Sequence, residues 1–138
     1  MSFYTAKQIN ELRTAAQFYK LDAPSVFWQR TAMELKKCCN GAGAERWSDG
    51  KRYALTTALK LYEAAIAIHD VDYEYQEVSK VEADKRLRRN MLKVWRKHYG
   101  FLRWFKRTAR IERLVVIPAV YAAVVIGGKE AWKEAKSK

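Results

Sequence analysis

The sequence contains little cysteine, proline or glycine. Among 138 residues there are 2 cysteines, 2 prolines and 6 glycines, while hydrophobic residues make up 49%. The cysteines, Cys38 and Cys39, are adjacent, and adjacent cysteines rarely form a disulfide because the resulting ring is strained. We therefore expect no disulfide framework, which favours a reducing compartment. Strand-like alternation is also scarce, so the sequence predicts an all-α fold with a core of its own.

Long uninterrupted apolar runs are missing as well. Lys7, Glu11 and Arg13 interrupt the N-terminal region where a secretory signal needs a continuous apolar segment, so no signal peptide is predicted. The longest apolar run, 114–128, contains Pro118 and is short for a membrane span. The sequence leaves open whether this run enters a membrane, packs in the core or pairs with a second copy.

Acidic residues are nearly absent from one basic segment. The formal charge is +12, yet residues 1–84 carry eleven Lys and Arg against twelve Asp and Glu, whereas 85–113 carries twelve against Glu112 alone. This segment also contains several aromatic residues: Trp95, Tyr99, Phe101, Trp104 and Phe105. Such a composition is typical of a helix at an anionic membrane surface. It also suits nucleic-acid binding. It is compatible, too, with aromatic side chains that pack into the core while the basic residues face solvent.

Helix-start signals divide the chain into segments. Thr5 with Gln8 predicts a capping box for a first helix, and Pro24 or Ser25 begins a second that runs to the cysteines. A third helix is expected from about Ala54 or Thr57 to Glu77. Ser79 with Glu82 predicts the start of a fourth, for which Gly100 offers the stop. A further helical pattern covers 101–113. Because the turn between the third and fourth helices is short, we expect them to pack antiparallel.

The third helix carries a polar cluster in apolar surroundings. His69 and Tyr73 are one turn apart, while His69 and Asp70 point about 100° apart and could flank one ligand. A cluster of this kind is costly unless its groups satisfy one another or bind something. The antiparallel turn should bring Asp84 beside His69 and Tyr73. We expect Asp72, like His98 on the fourth helix, to be exposed.

Two closely spaced glycines, Gly41 and Gly43, follow the second helix. They allow the backbone to fold tightly and to turn carbonyl oxygens inward. Carbonyl and carboxylate oxygens are the ligands of calcium. A plain helix C-cap after Asn40 explains the same glycines.

The motifs occur in a recognisable order. They are Asn40-Gly41-Ala42-Gly43, then His69-Asp70-x-x-Tyr73 on a helix, then Glu82-Ala83-Asp84. This order resembles the phospholipase A2 superfamily, in particular the short forms of bacteria, phages and parvovirus capsids. The run 83–91 is similar to the phage-type sequences, and the resemblance covers roughly 39–91.

The resemblance implies a role for each of these residues. His69 would be the general base that activates water, Asp84 would fix its tautomer, and Tyr73 would steady Asp84. Ca²⁺ would be the cofactor, held by the Asp70 carboxylate and by loop carbonyls. The implied metal ligands are Cys39, Gly41, Gly43 and Asp70.

The chain also departs from the family. Secreted members usually have cysteines at the places of Asn40 and Ile66, which is consistent with one absent disulfide. The step from His69 to Asp84 is shorter than is usual for the family.

The prediction is a small all-α phospholipase A2-like domain, 1–113, in which two antiparallel central helices carry the site. A basic amphipathic helical extension ends this domain, and an apolar helical segment with a Lys-rich tail follows at 114–138. The expected activity is calcium-dependent hydrolysis of the sn-2 ester of membrane phospholipids by a phage- or prophage-encoded protein. It would be cytoplasmic in the host or virion-associated, and it would touch an anionic phospholipid surface through 85–113. The alternative is a non-enzymatic cationic helical module, a virion component for example, that binds anionic membrane or nucleic acid.

Overall fold

The computed structural model describes residues 4–39 and 59–137. These two ranges are helical and contain no strand, so the all-α prediction is confirmed. Short 3₁₀ turns lie at Lys60–Tyr62 and Gly100–Leu102, and a wide π turn lies at Glu112–Val116. The α-helices are α1 (Ala6–Phe18), α2 (Ser25–Gln29), α3 (Ala32–Leu35), α4 (Glu63–Tyr75), α5 (Lys80–Tyr99), α6 (Arg107–Ile111), α7 (Ile117–Gly127) and α8 (Lys129–Lys136).

The capping box at the start of α1 is confirmed. The Gln8 amide donates to Thr5 Oγ1 over 3.1 Å, and the Thr5 amide donates to Gln8 Oε1 over 2.9 Å. Both backbone donors are thereby satisfied before the helical hydrogen bonds begin. Ile9, Leu12 and Ala16 then face the core at helical spacing.

The expected single helix from Pro24 or Ser25 to the cysteines is wrong, because it is broken into α2 and α3. Arg30 is extended, and Thr31 begins a new helix with its own capping box, in which the Glu34 amide donates to Thr31 Oγ1 over 3.1 Å. The motif Thr31-x-x-Glu34 satisfies a new helix N-terminus. This local capping competes successfully with continuation of α2.

The two central helices meet at a short turn. α4 ends at Tyr75, two residues before the predicted Glu77, because Gln76 adopts a left-handed backbone with φ 49°. Ala54 and Thr57 lie outside the described residues, but the predicted continuous helix from there is wrong, because Leu59 lies in a turn, Lys60–Tyr62 is a 3₁₀ turn and α4 begins at Glu63. Ser79 caps α5, with the Glu82 amide donating to Ser79 Oγ over 3.2 Å, but the Glu82 side chain does not return the bond, so the predicted capping box is only half formed. α5 ends where Gly100 takes φ 58°. Hydrogen bonds from α4 to α5 then hold the pair antiparallel.

α4 is the centre of the core. It packs against α1, α5 and α8, so 9 of its 13 positions are buried. The expectation that Asp72 is exposed is therefore wrong: it is 1% exposed, and Arg86 Nη1 on α5 donates to its Oδ1 over 2.7 Å. Burial raises the pKa of Asp72 to about 6, although the Arg86 charge opposes this rise.

The basic segment divides its aromatic residues between core and surface. Trp95 is buried, and its Nε1 donates to the Ala109 carbonyl over 2.8 Å, so this ring follows the alternative of an inward-packed aromatic. Glu112, in the π turn, accepts hydrogen bonds from Tyr62, over 2.8 Å, and from Tyr99. These contacts fold the chain back after α5, and Ala109 and Ile117 join the same core as α4.

The π turn and α7 expose apolar side chains. Leu114, Val115 and Ile126 are exposed there, Ile126 by 75%. Within residues 4–39 and 59–137, no single helix has both the length and the apolar composition of a membrane span. The helix Arg107–Gly127 and α8, bent by 53° at their junction, meet these two requirements only as a pair.

A buried amide clamps the turn after α1 onto α5. Asn90 is fully buried; its Nδ2 donates to the Asp22 carbonyl over 2.7 Å, and its Oδ1 accepts from the Asp22 amide over 2.9 Å. One side chain thus satisfies both the amide and the carbonyl of Asp22, a residue that lies outside the helices.

We expect Asn90→Ala to lower the free energy of unfolding by about 2 to 4 kcal/mol, because two backbone groups lose their partner. Urea unfolding followed by circular dichroism measures the change. Asn10→Ala, at an exposed position of α1, is the matched control and should leave stability within about 0.5 kcal/mol. Equal stability of the two variants would contradict the clamp.

Candidate active site

A buried hydrogen-bond cluster joins α4 to α5. His69 Nε2 lies 2.9 Å from Asp84 Oδ1, and the Tyr73 hydroxyl donates to the same oxygen over 2.8 Å. The His69 and Asp84 side chains are only 9% and 3% exposed. The structure thus brings together the three residues that the sequence assigned to catalysis, in spite of the short step from His69 to Asp84.

The positions follow from helix geometry. His69 and Tyr73 are one turn apart on α4, and their rings lie 4.3 Å apart between centroids. The short turn to α5 places Asp84, in the second turn of that helix, opposite both of them. A longer connection would have moved Asp84 away from α4, so the four-residue turn Gln76–Ser79 fixes this meeting point.

Asp84 has a third donor, Lys80, which the sequence analysis missed. Lys80 Nζ lies 2.7 Å from Asp84 Oδ2 and also donates to the Val124 carbonyl of α7 over 2.9 Å. The spacing of four residues on one helix was a usable signal for the Lys80–Asp84 pair. The contact with α7 had no signal, because it joins residues that are 44 positions apart.

The cluster keeps Asp84 ionised. Burial alone would raise the pKa of this carboxyl group, but hydrogen bonds from His69, Lys80 and Tyr73 hold the pKa below its usual value. An ionised carboxylate only accepts hydrogen bonds. The proton of neutral His69 is therefore assigned to Nε2, which leaves the lone pair on Nδ1.

The surroundings of His69 favour a neutral imidazole that can act as a base. Burial lowers its pKa below 6.5, even though the hydrogen bond and charge of Asp84 act in the opposite direction. The imidazole is therefore neutral at pH 7. Within the two described ranges, no residue forms a hydrogen bond with Nδ1. A neutral imidazole with one nitrogen oriented by a carboxylate and the other able to accept a proton suits general base catalysis.

Two of the four predicted calcium ligands are described. Cys39 is buried at the end of the α3 region, with its Sγ 3.8 Å from the Ala67 carbonyl of α4. Asp70 is half-buried, and its charge contributes to the raised pKa of the Cys39 thiol, after the hydrogen bond with Cys38 and burial. Ala67 lies three residues before Asp70, so Cys39 packs against the turn of α4 that precedes this carboxylate. Gly41 and Gly43 lie outside the described residues.

The donor chemistry of this set fits calcium. One carboxylate and three backbone carbonyls are hard oxygen ligands. Within 4–39 and 59–137, no cluster of three or more His, Cys, Asp or Glu side chains could hold a metal ion. A calcium site here would therefore depend on the backbone of the segment that follows Cys39.

A second candidate surface lies beyond the end of α5. Phe101 is 88% exposed and Phe105 is 76% exposed, and the basic residues beside them are exposed too. We call this the aromatic-basic surface; its members are Phe101, Leu102, Trp104, Phe105, Lys106, Arg107 and Arg110. Large exposed apolar groups among cations are typical of an interaction site.

Comparison of the chain with protein-family models, with curated proteins and with solved structures finds no match.

The pKa of His69 is directly measurable. Burial destabilises the imidazolium, so we expect His69 to be half-protonated at a pH below 6.5. In Asp84→Asn we expect the pKa of His69 to fall further, because the carboxylate that favours the imidazolium is lost. Proton NMR of the imidazole signals measures both values. The chain has 2 histidines, so His69→Asn assigns the signals. A pKa above 6.5 in the wild type, or a rise in Asp84→Asn, would contradict the described electrostatics.

Proposed function

We propose that the chain is a calcium-dependent, phospholipase A2-like hydrolase that cleaves the sn-2 ester of membrane phospholipids. The observation that carries the proposal is the buried His69–Asp84 hydrogen bond, with Tyr73 donating to the same carboxylate oxygen. The order of the sequence motifs supports the same class, and the phage-type form is the one that the run 83–91 resembles.

In the proposed reaction, Nδ1 of His69 accepts a proton from water while the water oxygen attacks the ester carbonyl carbon. The imidazolium then forms beside the ionised Asp84, which stabilises the positive charge. His69 returns the proton to the leaving alkoxide, so the products are a free fatty acid and a lysophospholipid. Tyr73 and Lys80 hold Asp84 in place throughout.

Asp70 and the carbonyls of Cys39, Gly41 and Gly43 would hold the calcium ion. Bound calcium supplies positive charge for the negative charge that develops on the ester oxygen. The proposal therefore requires calcium for activity.

The substrate lies in a bilayer, and the aromatic-basic surface is the proposed contact. Exposed rings of Phe101 and Phe105 suit the headgroup region, and the neighbouring cations suit anionic phosphate. The outer face of α7 adds further exposed apolar side chains.

A second candidate function comes from the same surface. A non-enzymatic cationic module, within a virion for example, would bind anionic membrane or nucleic acid through these residues and would be indifferent to calcium. Nucleic-acid binding would weaken steeply with salt and survive His69→Ala.

Catalysis is tested by fatty-acid release from vesicles of phosphatidylcholine and phosphatidylglycerol, with calcium and with chelator. We expect release with calcium only, and a loss of about 10²- to 10⁴-fold in His69→Asn, because the base is removed. His98→Asn, at the exposed histidine of α5, is the matched control and should keep the wild-type rate. Folded protein that releases no fatty acid in calcium would overturn the enzymatic proposal.

Membrane contact is tested separately by sedimentation with the same vesicles. We expect the double variant Phe101→Ser, Phe105→Ser to partition onto the vesicles about tenfold less, or weaker still. The two apolar rings that would be transferred from water on binding are replaced by polar side chains. Phe18→Ser, at an exposed phenylalanine of α1, is the control. Unchanged partitioning of the double variant would exclude this surface as the contact, and a salt-sensitive preference for DNA or RNA over vesicles would support the second function.

A further inference from the structure

The corner between α7 and α8 lies directly on the His69–Asp84 cluster. Gln76 Nε2, at the end of α4, donates to the Trp132 carbonyl over 2.8 Å, and the Tyr73 ring packs edge-on against Trp132 at 5.1 Å. Nothing in the resemblance assigns this part of the chain to the site.

Lys80 connects the cluster to this corner. Its side chain is 18% exposed, and its ammonium group contacts Asp84 Oδ2 at 2.7 Å. The same group contacts the carbonyls of Val124 at 2.9 Å and Val125 at 3.4 Å. The Val124 carbonyl already accepts from the Gly128 amide over 3.0 Å, so Lys80 is its second donor. The carboxyl end of a helix also favours a cation, and one ammonium therefore joins the carboxyl end of α7 to one oxygen of Asp84.

The approach of the corner is close enough to require glycine. A Cβ atom at position 128 would lie 2.5 Å from the Tyr73 hydroxyl oxygen and 2.4 Å from the Val124 carbonyl oxygen. At the neighbouring Gly127, a Cβ atom would meet nothing within 4 Å. The absence of a side chain at position 128 thus allows the corner to come this close to the Tyr73 hydroxyl, which donates to Asp84.

We propose that Lys80 is a positioning residue, which ties Asp84 to the carboxyl end of α7 so that the α7–α8 corner holds the His69–Asp84 pair in place. The C-terminal helices then complete the site. The exposed apolar face belongs to α7, the same helix that holds Asp84 in place through Lys80, and Asp84 orients His69. The expected effect on hydrolysis rests on the proposed function, whereas the positioning of Asp84 does not.

Lys80→Met is the direct test, with Lys85→Met, at an exposed position of the same helix, as the matched control. We expect the Nε2 proton of His69 to exchange with solvent faster in Lys80→Met, because Asp84 is no longer held in place to accept it; hydrogen-exchange NMR measures the rate. We also expect vesicle hydrolysis to fall by about 10- to 100-fold through kcat. Lys80→Arg should restore most of both, since it keeps the charge and the donors.

The glycine pair gives a second, independent test. Gly128→Ala should speed exchange of the His69 Nε2 proton and slow hydrolysis, because the added Cβ atom displaces the Tyr73 hydroxyl or the Val124 carbonyl, whereas Gly127→Ala should match the wild type. A folded Lys80→Met or Gly128→Ala protein whose His69 Nε2 proton exchanges at the wild-type rate would overturn the positioning role.

The two proposals fail separately. If wild-type protein releases no fatty acid, the enzymatic function is lost, and exchange of the His69 Nε2 proton in these variants still decides whether the corner positions the pair.

Discussion

The burial of one ionised carboxylate is the constraint on which the rest of the structure depends. Asp84 is 2% exposed, and a charge removed from water is tolerated only where donors replace its hydration. His69 and Tyr73 supply two donors from α4, and Lys80 supplies a third that also holds α7. The register of α4 against α5 and the place of the C-terminal helices are thus linked through a single side chain.

A second set of polar contacts joins the same pair of helices. Arg86 reaches both Asp72 on α4, at 2.7 Å, and Asp22 after α1, at 3.1 Å, while Asn90 holds the backbone of Asp22. Alanines are frequent on the packed faces of α4, and small side chains alone allow sliding. We infer that these buried polar contacts specify the register that the apolar contacts leave open. The site geometry depends on that register, because one turn of slippage would separate His69 from Asp84.

Much of this arrangement could be predicted from the sequence where the signal is local. Capping by Thr5 and Ser79 and the stop at Gly100 are set by neighbouring residues, and each is found at the predicted residue. The short turn after α4 was enough to predict that Asp84 returns to His69. The break at Thr31 was also a local signal, since Thr31-x-x-Glu34 is a capping pattern, but the apolar pattern of a longer helix obscured it.

The sequence by itself therefore determined the helical class, the helix ends at Thr5, Ser79 and Gly100, and the meeting of His69 with Asp84, because hydrogen-bond capping and helix periodicity act over a few residues. Only the tertiary structure decided that Asp72 is buried, that Trp95 packs inward while Phe105 faces solvent, and that Lys80 meets α7. Those outcomes depend on which helices, distant along the chain, cover each face, and an amphipathic pattern does not specify the partner that covers it.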